Sequence, residues 1–229
     1  MKILVTSGAT REPIDDVRFL SNVSTGTTGA ALATALAAAS HGVTLLHGAA
    51  APAASGAQHN EEFSSAMDLS ARLRRQLATG DFDAIIMTAA VADYRPAAPF
   101  VGKLPSTAET LTLELVRNPK ILPHLKSLTT RPLRVIGFKL TAGADADHRR
   151  AAVSAQFAAG GVDAVVHNDL YEIRAAAREQ HPFALHCGLE VEPLFLHGVP
   201  ALANALSAWL AEWPARPARE LGSGTPARV

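Results

Sequence analysis

Short apolar runs, set off by longer helical periodicities, organise this chain. Residues 2–6, 84–88, 133–140 and 163–168 are runs rich in Val, Ile and Leu, the pattern of strands buried on both faces of a sheet. Residues 43–47 read as one strand more. Residues 29–40 turn to Ala and Leu and stop at His41-Gly42, which reads as a helix. Residues 65–77 place Met67, Leu69, Leu73 and Leu77 at helical spacing, with Arg72, Arg74 and Arg75 between them as a solvated face. Residues 145–160 and 201–213 read as further helices. The β-α-β-α-β order predicts an α/β fold, a three-layer αβα, Rossmann-like, doubly wound and mostly parallel sheet. Residues 181–196, two alternating runs around Cys187-Gly188-Leu189-Glu190, add an antiparallel hairpin.

Elsewhere the pattern is thinner. Residues 48–56 are an Ala/Pro/Gly/Ser loop, and residues 97–110 have no periodicity and read as a mobile loop carrying Lys103. Residues 111–115 alternate with period two, as a half-exposed strand does. Asn118 and Pro119 then suit the N-cap and first position of a helix, although Asn118 is equally suited to binding a ligand. Residues 1–213 are expected to form a single domain, and residues 214–229 have the composition of a disordered tail.

Charge narrows the function. The chain of 229 residues has no net charge and a pI near 7.1, which argues against nucleic-acid and membrane surfaces. One cysteine, Cys187, allows no internal disulfide and suits a reducing compartment. No apolar run approaches the roughly 18 residues of a membrane span, and Met1 leads straight into a strand. The cytoplasm is the expected location. No His, Cys, Asp or Glu spacing suits a metal, so no protein metal site is expected.

The candidate chemistry starts at the first strand. It runs into Ser7-Gly8-Ala9-Thr10-Arg11-Glu12-Pro13 and on to Asn22-Val23-Ser24-Thr25-Gly26-Thr27-Thr28-Gly29, where the first helix begins. A glycine-rich loop at a helix N-terminus offers unpaired N–H groups and a positive dipole end to a phosphate or carboxylate. The alternative is a plain βα connection. Gly26 and Gly29 come roughly twenty residues too late for a dinucleotide fingerprint, and no Tyr-x-x-x-Lys pair supports an oxidoreductase. Asp93, Tyr94 and Arg95 follow the strand at 84–88 directly, where ligands of open α/β sheets bind.

These residues carry a family resemblance. The block from Thr6 to Ala33 resembles the opening of phosphopantothenate–cysteine ligase, T-x-G-x-T-R-E-P-I-D-x-V-R-x-I-S-N-x-S-S-G-x-x-G. Ala89-Ala90-Val91-Ala92-Asp93-Tyr94-Arg95 is similar to its A-A-V-A-D-Y-R segment, with Lys103 ten residues past Asp93 like the family's catalytic lysine. Asn118-Pro119-Lys120-Ile121-Leu122 resembles N-P-D-I-L/V, and Asp163 to Asn168 resembles D-x-I-V-A-N. The resemblance spans about residues 2–213.

The resemblance implies nucleotide-dependent joining of 4'-phosphopantothenate to L-cysteine in coenzyme A biosynthesis. The substrate carboxylate attacks the α-phosphate of CTP or ATP, Mg²⁺ accompanying; pyrophosphate leaves, and the cysteine amine displaces the nucleotide. It implies Asn22, Lys103 and Arg18 as catalytic residues. Gly8, Ser24, Gly26, Gly29, Ala89, Ala90, Asp93, Asn118, Pro119, Ile121, Phe138 and Lys139 are implied for the nucleotide, with Asp93 taking its ribose or a metal. Arg18, Asn22, Tyr94 and Arg95 are implied for the substrate. A homodimer and a separate flavin-dependent decarboxylase are the implied partners. Arg18 and Lys103 could also be ordinary surface cations. The chain departs from the pattern at Thr27, Gln156 and Gly160, where the family carries basic residues, and at Lys120, where the bacterial form carries Asp. Phe138-Lys139-Leu140 is nearer the ATP-using eukaryotic branch, and Lys120 and Lys139 are the candidates to make up the missing charge. A divergent nucleotide- or metabolite-binding homologue with altered activity is the alternative reading.

Overall fold

Six strands run parallel in a computed structural model that describes residues 1–78 and 81–212. They are β1 (Lys2–Ser7), β4 (Gly42–Gly48), β5 (His59–Phe63), β6 (Ala84–Met87), β9 (Arg134–Thr141) and β10 (Ala164–Asp169). Two antiparallel strands, β11 (Pro182–His186) and β12 (Leu194–His197), complete a sheet in the order β12-β11-β10-β9-β6-β1-β4-β5. The chain thus starts in the middle of the sheet and winds outward through β4 and β5. It then crosses back to β6 and winds the other way. This is the doubly wound topology expected from the sequence, and its crevice opens between the carboxyl ends of β1 and β6.

Two layers of helix cover the sheet. On one face lie α1 (Thr27–Ala38) and α5 (Val199–Ala211), which bury Leu32, Leu36, Leu202, Leu206 and Leu210 with Ile3, Val5, Ile86 and Val166. On the other lies α2 (Ala66–Ala78), whose Leu69, Leu73 and Leu77 pack with Leu4, Leu46, Ile85 and Val135. A 3-10 helix (Leu122–Leu128) and α3 (Ala146–Ala158) extend that second layer. Each of these fully buried aliphatic side chains contributes about 2 kcal/mol by leaving water. Among the described residues no helix is long and apolar enough to cross a membrane.

Several local expectations are corrected. β5 (His59–Phe63) was not legible, because an edge strand tolerates charge and only Phe63 of it is buried. Its Glu61 takes Arg72 and Arg75 of α2 as ion-pair partners, so those two arginines tie helix to strand and are not merely a solvated face. Residues 111–114 form no strand; no sheet receives their alternation, and Leu111 and Leu113 stay exposed. The short strand β8 (Leu115–Arg117) instead pairs with β7 (Tyr94–Pro96). Asn118 caps no helix. The 3-10 helix starts after Ile121, and the buried Asn118 side chain is used sideways. A short helix α4 (Leu170–Ala175) follows β10 unannounced, capped by Asp169. The last helix is described to Ala211; Trp213 and the expected tail at 214–229 lie outside the described residues.

Asp169 is fully buried at the carboxyl end of β10. Burial alone would raise its pKa. Hydrogen bonds from Thr141 Oγ1 at 2.7 Å and from the N–H groups of Gly143, Tyr171 and Ala144 hold the carboxyl far below the usual range instead. Burial also pushes His41, His167, His181 and His186 below the ordinary imidazole value. In both cases the unfolded chain binds protons more readily than the folded one, so stability rises with pH. Folding stability is therefore expected to fall as pH drops below about 6.5 and again below about 4, the two unperturbed ranges. Urea midpoints at pH 7.5, 5.5 and 3.5 check it; equal midpoints at the first two would contradict the histidine part. Asp169→Asn should cost about 2 kcal/mol at neutral pH and flatten the lower step.

Candidate functional site

The crevice is built by threonines that carry the β1–β6 pairing beyond the strands. Thr88 Oγ1 donates to Thr6 O at 2.5 Å, Ala89 N–H donates to Thr6 Oγ1 at 3.2 Å, and Ala92 N–H to Thr10 Oγ1 at 3.0 Å. Ala90 N–H donates to Gly8 O at 2.8 Å. Ala89 and Ala90 therefore lie beside Gly8 and Ala9 at the topological switch. Thr6 and Thr10 were missed as site-building residues; the spacing of two threonines around the Ser-Gly turn was their signal.

Glycines bring α1 down onto this edge. A Cβ on Gly29 would lie 2.6 Å from Ser7 Cβ and 2.2 Å from Thr88 Oγ1, so only glycine lets the helix start this close. Gly26 sits at φ 73° as the N-cap residue, and no side chain caps the helix. The first-turn N–H groups at Thr28 and Gly29 consequently have no partner within the helix. Ser7 Oγ, buried below them, has no hydrogen-bond partner among the described residues.

Beside the helix start, β2 (Arg11–Pro13) and β3 (Phe19–Ser21) form an antiparallel hairpin. A cleft of about 300 Å³ runs between it and Ala50-Ala51, lined by Arg11, Phe19, Asn22 and Ser24. The Arg11 guanidinium lies 4.5 Å from the centre of the Phe19 ring. Asn22 is exposed and donates Nδ2–H to Val91 O at 3.3 Å.

The turn of this hairpin straps the segment that was expected to be mobile. Leu104 N–H donates to Asp15 Oδ2 and Gly102 N–H to Asp16 Oδ2, both at 3.0 Å. Phe100 N–H donates to Ile14 O at 2.8 Å. Arg18 pairs with Asp15 at 3.2 Å and donates to Leu104 O at 3.2 Å. Burial would raise the Asp15 carboxyl, but the N–H groups of Val17, Leu104 and Arg18 hold it low. Lys103 is thus fixed at its backbone neighbours while its side chain stays exposed.

Residues 91–93 are gripped one after another. Asn22 holds Val91 O, Asn118 Nδ2 donates to Ala92 O at 2.9 Å, and Asn118 N–H donates to Asp93 O at 2.9 Å. Arg95 Nη1 donates to Asn118 Oδ1 at 3.3 Å and to Arg117 O at 3.0 Å. Lys120 Nζ lies 2.5 Å from Asp93 Oδ1. Tyr94 is exposed on β7, and Pro119 and Ile121 flank Lys120. So Asn22, Asp93, Arg95, Asn118 and Lys120 are brought together.

Lys139 is not brought to the face of α1. Phe138 packs with the α1–α5 layer, beside Phe183 with ring centres 6.5 Å apart. Strand alternation sends the next residue, Lys139, to the α3 side. Gln156 lies against Gly137 and donates to Phe138 O at 3.5 Å, and Gly160 ends α3 at φ 77°. Both are used by local packing and helix termination.

Comparisons with known proteins agree on one family. The coenzyme A biosynthesis bifunctional protein CoaBC of Vibrio parahaemolyticus is 38% identical over 138 residues, 59% of this chain and 34% of that protein. That of Mycobacterium tuberculosis is 41% identical over 126 residues, 53% of this chain and 29% of its own. That of Thermococcus kodakarensis is 31% identical over 169 residues, 74% and 41%. The chain spans about a third of the length of these relatives. Among solved structures, the DNA/pantothenate metabolism flavoprotein from Streptococcus pneumoniae superposes with a TM-score of 0.80 at 26% identity, covering 92% of this chain and 98% of that one. The C-terminal domain of a CoaBC protein, at 24% identity and a TM-score of 0.71, covers 91% and 93% and shares the fold. Over residues 1–188 the chain matches the DNA/pantothenate metabolism flavoprotein C-terminal domain family, and it belongs to that family.

Proposed function

We propose that this chain joins 4'-phosphopantothenate to L-cysteine, with CTP or ATP activating the carboxylate as an acyl-nucleotide. The observation that carries this reading is the meeting of the uncapped α1 start, the Ala89-Ala90 edge and Asn22 at one switch-point crevice. Relatives named as coenzyme A biosynthesis proteins support it. In this reading Gly8, Ser24, Gly26 and Gly29 give N–H groups and a close backbone to the phosphates, and Phe138 borders the nucleotide. Lys103 offsets the charge that develops as the carboxylate attacks phosphorus and pyrophosphate leaves. Asn22 holds the acyl group through its amide while the cysteine amine attacks. Ala89 and Ala90 border the nucleotide, Tyr94 and Arg95 shape the acid's site, and Asn118, Pro119 and Ile121 are the frame behind Asp93. Arg18 acts by holding the strap that positions Lys103.

Mg²⁺ was an expected companion of the nucleotide. Among the described residues no three His, Cys, Asp or Glu side chains gather, and Lys120 already occupies Asp93. The residues do not fit a protein-held ion, and no step is assigned to one. A homodimer belongs to the same reading, because Val17, Phe19, Leu20, Phe100 and Val101 are exposed on the hairpin and strap, an apolar surface a second copy would cover. A flavin-dependent decarboxylase is the proposed functional partner, since the relatives are named as bifunctional proteins.

Incubation with CTP or ATP, Mg²⁺ and phosphopantothenate should release pyrophosphate, and adding cysteine should give the amide product. Release must depend on phosphopantothenate. No release with either nucleotide would overturn the reading.

A further inference from the structure

We propose that Lys120 is a positioning residue of this site. It takes one oxygen of the Asp93 carboxylate, aims the other at a substrate hydroxyl, and keeps divalent cations off that carboxylate. The inference deepens the ligase reading and rests on it only for the identity of the hydroxyl.

The pair has no evident structural task. The backbone around Asp93 is already held by Asn22 on Val91 O, by Asn118 Nδ2 on Ala92 O and by Asn118 N–H on Asp93 O. The ion pair itself is mostly exposed, with side-chain exposures of 72% for Lys120 and 67% for Asp93. Exposed pairs add little to stability. What this pair changes is the carboxylate.

Lys120 is also well rooted for the task. It follows the buried Asn118 and the φ-restricted Pro119, so its stem leaves a fixed point beside the crevice. Its ammonium lies 2.5 Å from Asp93 Oδ1, and among the described residues it is the group that bonds this carboxylate. Oδ2 remains to accept from a hydroxyl. A divalent ion needs several oxygen ligands at short range, and here it would meet a cation instead. Among the described residues Asp93 belongs to no cluster of three or more His, Cys, Asp or Glu side chains. Any Mg²⁺ that enters with a nucleotide is then held by phosphate oxygens.

Two measurements test this. The first is Mn²⁺ binding to the free protein, read by electron paramagnetic resonance, and it needs no turnover. Lys120→Asp should tighten Mn²⁺ binding about tenfold or more by offering two carboxylates, and adding Asp93→Asn should abolish the gain. Mn²⁺ held at Asp93 as tightly in the wild type as in Lys120→Asp would overturn the proposal. The second is steady-state kinetics. Lys120→Met should raise the KM of one co-substrate about tenfold with kcat nearly unchanged. Lys120→Arg should restore it, and Lys120→Met should add nothing in an Asp93→Asn background. The KM that moves, for the nucleotide or the acid, identifies the hydroxyl. A loss in kcat alone, or additive effects of the two changes, would overturn the positioning role. Absence of turnover in the wild type would remove the ligase reading, and the Mn²⁺ result would then decide the effect of Lys120 on Asp93 by itself.

Discussion

Lys103→Gln is expected to suppress pyrophosphate release on the order of 100-fold or more, a loss of a few kcal/mol of transition-state stabilisation. The fold should be almost unaffected. Lys103 is exposed, and its strap is anchored through backbone groups of Phe100, Gly102 and Leu104, so the stability change should stay within roughly 0.5 kcal/mol. Asn22→Asp should act on the other half-reaction. Its amide reaches Val91 O across the crevice, and a carboxylate there would lose that donor and repel a phosphoryl group. Activation should persist while amide formation slows, so acyl-nucleotide accumulates. Separate assays of pyrophosphate and amide product distinguish the two residues. Equal activity in Lys103→Gln and wild type would make Lys103 a bystander and undo this assignment.

Gly26→Ala should be strongly destabilising for a single added methyl. Gly26 has φ 73°, a conformation that costs an alanine about 1–2 kcal/mol. The added Cβ would also lie 2.4 Å from Ala51 Cβ and 2.9 Å from Gly8 N. Relieving those contacts means moving backbone, and overpacking of this kind costs about 1–3 kcal/mol more. A total near 3 kcal/mol lowers Tm by roughly 10 °C in a chain of this size. Nucleotide affinity should fall with it, because the start of α1 must lift away from Gly8. Ala51→Gly in the same protein should relieve the contact with Ala51 and leave the φ cost and the contact with the Gly8 backbone. Thermal melts and nucleotide titration of the two variants and the wild type measure both parts. A Gly26→Ala protein within about 1 kcal/mol of wild type would show that the loop shifts freely, against the rigid packing described here.

The sequence by itself determined the doubly wound sheet, because a strand buried on both faces needs an unbroken apolar run, and β1, β6, β9 and β10 have one. It also determined that Gly26 and Gly29 open a helix, because local backbone rules govern that join. Its limits have physical causes. β5 carries charged residues because an edge strand is tied by backbone bonds to one neighbour only, so no side-chain period marks it. Residues 111–114 alternate without a sheet to face, and alternation alone cannot supply a partner. Asn118 has the local signature of a helix cap, yet a carbonyl 26 positions away, at Ala92, claims its side chain. Lys103 lies in a stretch with no period, and its order comes from Asp15 and Asp16, more than eighty positions earlier. Lys120 reads as a lost acid until its ammonium is found on Asp93. Periodicity and turn chemistry are local, so they fix elements and helix ends. Which polar group meets which across the crevice is a long-range pairing, and only the folded chain decides it.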